Sequence, residues 1–258
     1  MFTAASFKLF GVGAFQLRIV TFISGLILLF VTNKILLKAG YRKGLTILIL
    51  LLFSLDPFFI KCLHEGRMDL MALLFVIAGY LQLQYWLKSP KIKYAVYIGL
   101  FLVFALLTTP RVGFLLIALT PLVFFIFSFN YKKIAILMIG IIIPLISIYS
   151  TWVFYAFGNY QNFIDFYAAL TDGYTQVGGF YTYIQKNQYI LIPLTLISIV
   201  FGLFSMKQKW LTPLHIFSVC SVISFYLIVK DPGPYSVFIT PMFYILILSP
   251  FSTIKNGS

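Results

Sequence analysis

Between residues 19 and 250 the chain is a succession of apolar runs, and no charged residue occupies the middle of any of them. Charge is costly inside hydrocarbon, so this is the pattern a bilayer imposes on a chain that crosses it. Composition agrees: 61% of the 258 residues are hydrophobic and only 10% are charged. A soluble domain carries about 25% charged residues. No water-soluble fold of this size could hide so much apolar surface in one core. The sequence predicts an integral membrane protein of the all-α class, a polytopic transmembrane helix bundle.

Crossing a hydrocarbon layer of roughly 30 Å takes about 20 helical residues. The apolar runs suggest nine spans, at 19–37, 45–60, 70–87, 95–107, 113–129, 134–156, 188–206, 214–229 and 236–250. Several are short. Helix-breaking punctuation separates them: Lys88-Ser89-Pro90-Lys91, Thr108-Thr109-Pro110-Arg111, Asn130-Tyr131-Lys132-Lys133 and Asp231-Pro232-Gly233-Pro234. Within the longest connection, 157–187, the residues Tyr160, Phe163, Ile164 and Tyr167 recur at helical spacing with Asp165 opposite. That pattern predicts a short helix lying in the membrane interface.

The net charge of +13 is explained by where the charges fall. One set of alternate connections holds Lys34, Lys38, Arg42, Lys43, Lys88, Lys91, Lys93, Lys132, Lys133, Lys207, Lys209 and Lys255, with no acid. The other set holds the remaining seven cations and all six acids: Asp56, Glu65, Asp69, Asp165, Asp172 and Asp231. Cytoplasmic loops collect Lys and Arg, so the first set is expected inside. The basic excess is then topology and implies no nucleic-acid partner. The amino terminus is expected outside, with 1–18 as an outer-surface interfacial segment, 19–250 as the transmembrane domain and 251–258 as a cytoplasmic tail. This orientation suits a multi-pass protein of the inner or plasma membrane, and an outside start suggests a missing preceding helix. Cys62 and Cys220 are too few for a disulfide framework.

Titratable groups crowd the outer rim. The densest group is Lys61-Cys62-Leu63-His64-Glu65-Gly66-Arg67-Met68-Asp69, between the second and third expected spans. Arg67 and Asp69 fall at the start of a helix, where exposed amide donors favour anions. Two readings stand side by side. In one, Asp69 caps the helix and Arg67 anchors phospholipid headgroups. In the other, Glu65 or Asp69 binds a sugar hydroxyl or a divalent cation while Arg67 faces a phosphate. His64, Glu65 and Asp69 match no strong metal spacing. Arg111, a single cation between two apolar runs, either holds a lipid-linked phosphate or snorkels to ordinary headgroups. Lys230, Asp231 and Tyr235 form another outer group. The aromatic residues Tyr174, Phe180, Tyr181 and Tyr183 suit either sugar stacking or interfacial anchoring.

The order of these features resembles the GT-C glycosyltransferases, the polytopic enzymes of the protein mannosyltransferase and lipid A aminoarabinose transferase kind (glycosyltransferase family 39). Gly11-Val12-Gly13-Ala14-Phe15-Gln16-Leu17-Arg18 is similar to the family's entry into its second helix. Glu65-Gly66-Arg67-Met68-Asp69-Leu70 looks like its outer R-x-D helix start. The stretch from Ala105 to Gly113 resembles its basic hinge, with the cation displaced to Arg111. Pro234-Tyr235 with Thr240-Pro241 is similar to its last core helix.

The resemblance implies a polyprenyl-phosphate sugar as donor and a lipid, glycan or protein acceptor at the extracytoplasmic face. Glu65, Arg67, Asp69 and Arg111 become the candidate substrate-binding residues, with no required cofactor beyond an optional divalent cation. The family's catalytic aspartate lies in the first outer loop, after an initial helix. No acid precedes Asp56 here. The catalytic residue therefore stays unassigned, and the chain is expected to be partial, to have its missing helix supplied otherwise, or to be inactive alone. Two rival functions are a lipid-linked sugar flippase or other transporter and a noncatalytic membrane partner subunit. A flippase fits less well, because neither an internal repeat nor a midplane charge is visible.

Overall fold

The computed structural model describes residues 13–115, 131–175, 213–228 and 233–252, together with a few isolated positions. Among these residues the fold is all helical, without strands. In chain order the helices are α1 (Ala14–Lys38), α2 (Lys43–Ser54), α3 (Pro57–Glu65), α4 (Asp69–Lys88), α5 (Ile92–Thr108), α6 (Tyr131–Pro144), α7 (Ser150–Phe157), α8 (Tyr160–Thr175), α9 (Pro213–Ile228) and α10 (Thr240–Leu248). Short 3₁₀ turns at Pro110–Val112, Gly233–Phe238 and Ser249–Ser252 punctuate them.

Helix α4 is the central element. Leu70, Ala72, Leu73, Val76, Ile77, Tyr80, Leu83 and Trp86 are all buried, so the helix is covered around most of its circumference. Helix α5 packs antiparallel on it, with Phe75 meeting Phe101 and Phe104 near one end and Tyr85 meeting Tyr94 at the other. On the far side of α5, α6 approaches through small residues. A methyl group added at Gly99 would come within 2.7 Å of the Gly140 carbonyl oxygen and 2.9 Å of Ile141 Cα, so the two backbones are in contact there.

Helix α1 packs on α4 with an inverted pattern. The buried face carries Thr21, Ser24, Gly25, Leu28, Thr32, Ile35 and Leu36, whereas Phe22, Ile23, Leu26, Ile27 and Phe30 point outward. In water this arrangement would be perverse; in lipid, small residues mediate helix contact and large apolar ones face the acyl chains. Two of the buried hydroxyls are satisfied within the helix, Thr21 donating to the Leu17 carbonyl at 3.3 Å and Ser24 to the Val20 carbonyl at 2.8 Å.

Among the described residues three helices are long and apolar enough to cross a membrane, namely α1, α4 and the continuous stretch Tyr131–Phe157, or four if α2 and α3 count as one bent span. Nine spans are not supported. The expected single span at 45–60 is broken by Asp56-Pro57 into α2 and α3, which meet at a 53° bend. Pro57 has no amide proton and cannot continue α2, while it suits the first turn of α3. Helix α5, at 17 residues, rises only ~25 Å, and α9, at 16, only ~24 Å. The expected last span is split into a 3₁₀ turn, the nine-residue α10 and another 3₁₀ turn. The expected spans at 113–129 and 188–206 lie largely outside the described residues. In Tyr131–Phe157 the helix passes Pro144 by widening into a π turn at Leu145–Tyr149, which accommodates the missing amide without ending the span.

Helix α1 begins at Ala14, inside the segment 1–18 assigned to the outer surface. The helix foreseen around Tyr160 is present as α8. Phe163 reaches Tyr149, Trp152 and Phe157 with ring centres 5.3–6.2 Å apart, holding α8 against the end of α7.

Candidate functional site

The rim residues singled out from sequence are gathered by two local devices, a capped break and a left-handed turn. At the break, Asp56 accepts hydrogen bonds from the amides of Phe58 at 2.8 Å and Phe59 at 3.3 Å, capping α3. Its second carboxylate oxygen accepts from the Tyr244 hydroxyl of α10 at 2.7 Å. The carboxylate is buried and bonded on both oxygens, so it fixes the direction of α3 and does not present itself to a ligand.

At the other end of α3, Gly66 adopts φ +69°. The Gly66 amide donates to the Leu63 carbonyl and the Arg67 amide to the Cys62 carbonyl, the paired bonds of a Schellman ending. A side chain at Gly66 would strike Leu17 of α1, with Cγ 2.7 Å from the added carbon. This turn reverses the chain between α3 and α4 and sets Arg67 beside Asp69. Arg67 Nε donates to Asp69 Oδ2 at 2.6 Å, and Arg67 Nη1 stands 3.8 Å from Glu65 Oε2. Lys61 lies 3.7 Å from the other Glu65 oxygen, one helical turn earlier.

A further group arrives from far along the chain. The 3₁₀ turn Gly233–Phe238 packs on α3 and α4, and the Tyr235 ring lies with its centre 5.1 Å from the Arg67 guanidinium carbon. Aromatic faces attract cations at such distances. Burial works against the Arg67 charge, but the hydrogen bond it donates to Asp69 and the Asp69 and Glu65 charges outweigh it, so its pKa rises above the ordinary arginine value. The side chains grade from Asp69 at 8% exposed through Arg67 at 24% to Glu65 at 40%, so Glu65 and Arg67 are the more accessible members of the group.

Asp69 is the first residue of α4 and not its cap; that position belongs to Met68, without a side-chain cap bond. The carboxylate instead holds Arg67 at the positive end of the helix. The Arg111 backbone sits in the Pro110–Val112 turn after α5. Because α5 runs antiparallel to α4, this turn lies at the same end of the bundle as Asp69. The Arg111 side chain lies outside the described residues, as do the Lys230 and Asp231 residues and the aromatic side chains at 174–183. His64 is exposed on α3. Among the described residues no group of three His, Cys, Asp or Glu is placed to hold a metal ion. Cys62 and Cys220 are free thiols.

A buried polar pair at the opposite end of the bundle has no counterpart in the sequence reading. The Tyr41 hydroxyl, on the α1–α2 connection, lies 3.0 Å from His215 Nε2 of α9 and 3.3 Å from the Ile245 carbonyl of α10. Both side chains are almost wholly buried, and burial pushes the Tyr41 phenol pKa up. The pair ties the first connection to the last two helices. No family model, no curated protein and no solved structure matches this chain.

Proposed function

We propose that the chain is the membrane-embedded part of a GT-C-type glycosyltransferase that receives a polyprenyl-phosphate sugar at the rim carrying Glu65, Arg67 and Asp69. One observation carries the reading: a guanidinium anchored by Asp69, faced by Tyr235 and only loosely paired with Glu65. At 3.8 Å the Glu65 contact is coulombic and too long for a hydrogen bond. A phosphate oxygen can replace it without disturbing the 2.6 Å bond to Asp69. Guanidinium groups suit phosphate because their planar donors match its oxygens. The displaced Glu65 then becomes an acceptor for a sugar hydroxyl, and Tyr235 offers an apolar ring face beside it.

In this reading the Lys-rich end of the bundle faces the cytoplasm of an inner or plasma membrane, and the Arg67 rim faces outward. Arg111, carried to the same end, supplies a second cation for the donor phosphate. The acceptor is a hydroxyl or amine of a lipid, glycan or protein. The catalytic base is assigned to none of the residues described.

The test uses the full chain purified in neutral detergent, with polyprenyl phosphate as the probe. Wild-type protein should retain the lipid. Arg67→Ala should weaken retention tenfold to a hundredfold, the equivalent of losing one charge-assisted hydrogen bond worth about 1.5–3 kcal/mol. Asp69→Asn should weaken it less, by loosening Arg67. Failure of the wild type to retain polyprenyl phosphate above plain phosphatidylcholine, or unchanged retention by folded Arg67→Ala, would remove the rim from donor binding.

A further inference from the structure

The Lys-rich end of the bundle carries a local arrangement that the transfer reading does not use. Helix α1 ends at Lys38, whose Nζ lies 3.1 Å from the centre of the Tyr85 ring near the end of α4. Tyr85 stacks on Tyr94 at the start of α5, with ring centres 5.8 Å apart and planes 18° from parallel. Lys93 Nζ in turn lies 5.2 Å from the centre of Tyr94. Two ammonium groups from different helices therefore flank one stacked tyrosine pair. The Lys88-Ser89-Pro90-Lys91 turn between the tyrosines adds two more exposed lysines.

Aromatic faces hold cations in place without neutralising them. No acid occurs anywhere between Asp69 and Asp165 in the sequence, nor between the amino terminus and Asp56. Asp69 opens the 20-residue helix α4 at its opposite end, about 30 Å away, and Glu65 ends α3 just before it. Among the described residues no acid pairs with these four lysines, and the exposed apolar side chains of Leu37 and Ile92 lie beside them in the chain. Positive charge required only for topology needs no fixed geometry. Here two of the ammonium groups are held against rings, so part of the ordering cost of receiving an anion is met before it arrives.

We infer that this rim is a binding site for an anionic phospholipid, its phosphate received among Lys38, Lys88, Lys91 and Lys93 and its acyl chains running past Leu37 and Ile92. The inference stands apart from the transfer reading, since it involves neither Arg67 nor a sugar donor.

Lys132 and Lys133 at the start of α6 provide the comparison, being exposed cations expected on the same side. The full chain is purified in neutral detergent, offered phosphatidylglycerol or phosphatidylcholine in mixed micelles, and its retained lipid counted by native mass spectrometry. Wild type should retain phosphatidylglycerol in preference. Lys38→Gln with Lys93→Gln should lower that retention at least fivefold, the change expected from about 1 kcal/mol per lysine near an anionic headgroup. Lys132→Gln with Lys133→Gln, an equal loss of charge, should lower it less than twofold. Lys38→Arg with Lys93→Arg should keep it. Lys93→Gln against Lys132→Gln repeats the comparison with single exposed changes if the first double variant does not fold. Equal losses in both series, or equal retention of the two lipids by wild type, would overturn the site.

Discussion

Replacing Asp56 by alanine removes two functions of one carboxylate. One oxygen caps α3 through the Phe58 and Phe59 amides, and the other accepts the 2.7 Å bond from Tyr244. A lost cap costs about 1 kcal/mol. A half-buried hydroxyl left without its partner costs about 1–3 kcal/mol. The expected sum for Asp56→Ala is ~2–4 kcal/mol. Tyr244→Phe leaves the cap intact and should cost ~1–2 kcal/mol, since only the bond to the carboxylate is lost. The two changes share a bond, so the double variant should fall short of additivity by at least ~1 kcal/mol. Asp56→Asn keeps the carbonyl oxygen for the cap and offers its amide nitrogen as a donor to the Tyr244 hydroxyl oxygen, so it should cost less than ~1 kcal/mol. Reversible unfolding in mixed micelles, titrated with a denaturing detergent and followed by circular dichroism, measures all four. A coupling energy below ~0.3 kcal/mol would refute the reasoning, because the bond would then contribute nothing to holding α10 against the α2–α3 break.

Three further outcomes are expected. Gly66→Ala should destabilise the chain by at least 1–2 kcal/mol, because φ is +69° and the new methyl meets Leu17, and it should weaken polyprenyl-phosphate retention by misplacing Arg67; thermal midpoint and lipid retention check both. Gly99→Ala should cost about 1–3 kcal/mol, since the methyl meets α6 backbone at 2.7 Å and 2.9 Å and no side chain can rotate away; an unchanged unfolding midpoint would contradict the close approach. Cys62 is 1% exposed and should resist a water-soluble maleimide in the folded protein while reacting fully after denaturation, as read by mass shift.

The helices were legible where apolar runs met clear punctuation. The turn Lys88-Ser89-Pro90-Lys91 separates α4 from α5 as its composition implies. The break at Asp56-Pro57 also carried a local signal, an N-cap acid followed by proline at the first helical position. The surrounding apolar run masked it, because hydrophobicity alone does not distinguish one straight span from two helices meeting at an angle. At the candidate site, Glu65, Arg67 and Asp69 were visible together because a single turn brings them together. Tyr235 over Arg67 and Tyr244 on Asp56 were not, since their partners lie far away in sequence and no periodicity links them. Tyr41 stands beside Arg42 and Lys43 in a basic connection, a setting that gives no sign of burial; only tertiary packing buries it against His215. The orientation of α1 was equally hidden, because both its faces are apolar enough to pass for either lipid or protein.

That inverted face of α1 reverses the usual map of tolerance to change. In a soluble helix the bulky greasy positions are the guarded ones and the small hydroxylated ones drift freely. Here Phe22, Ile23, Leu26 and Ile27 need only stay oily, whereas Gly25 has α3 side chains 3.2–3.3 Å from where its first side-chain carbon would stand. Attempts to render the molecule water-compatible by repainting its outside therefore have wide latitude, provided the modest-looking Thr21–Ser24–Gly25–Thr32 seam is left untouched.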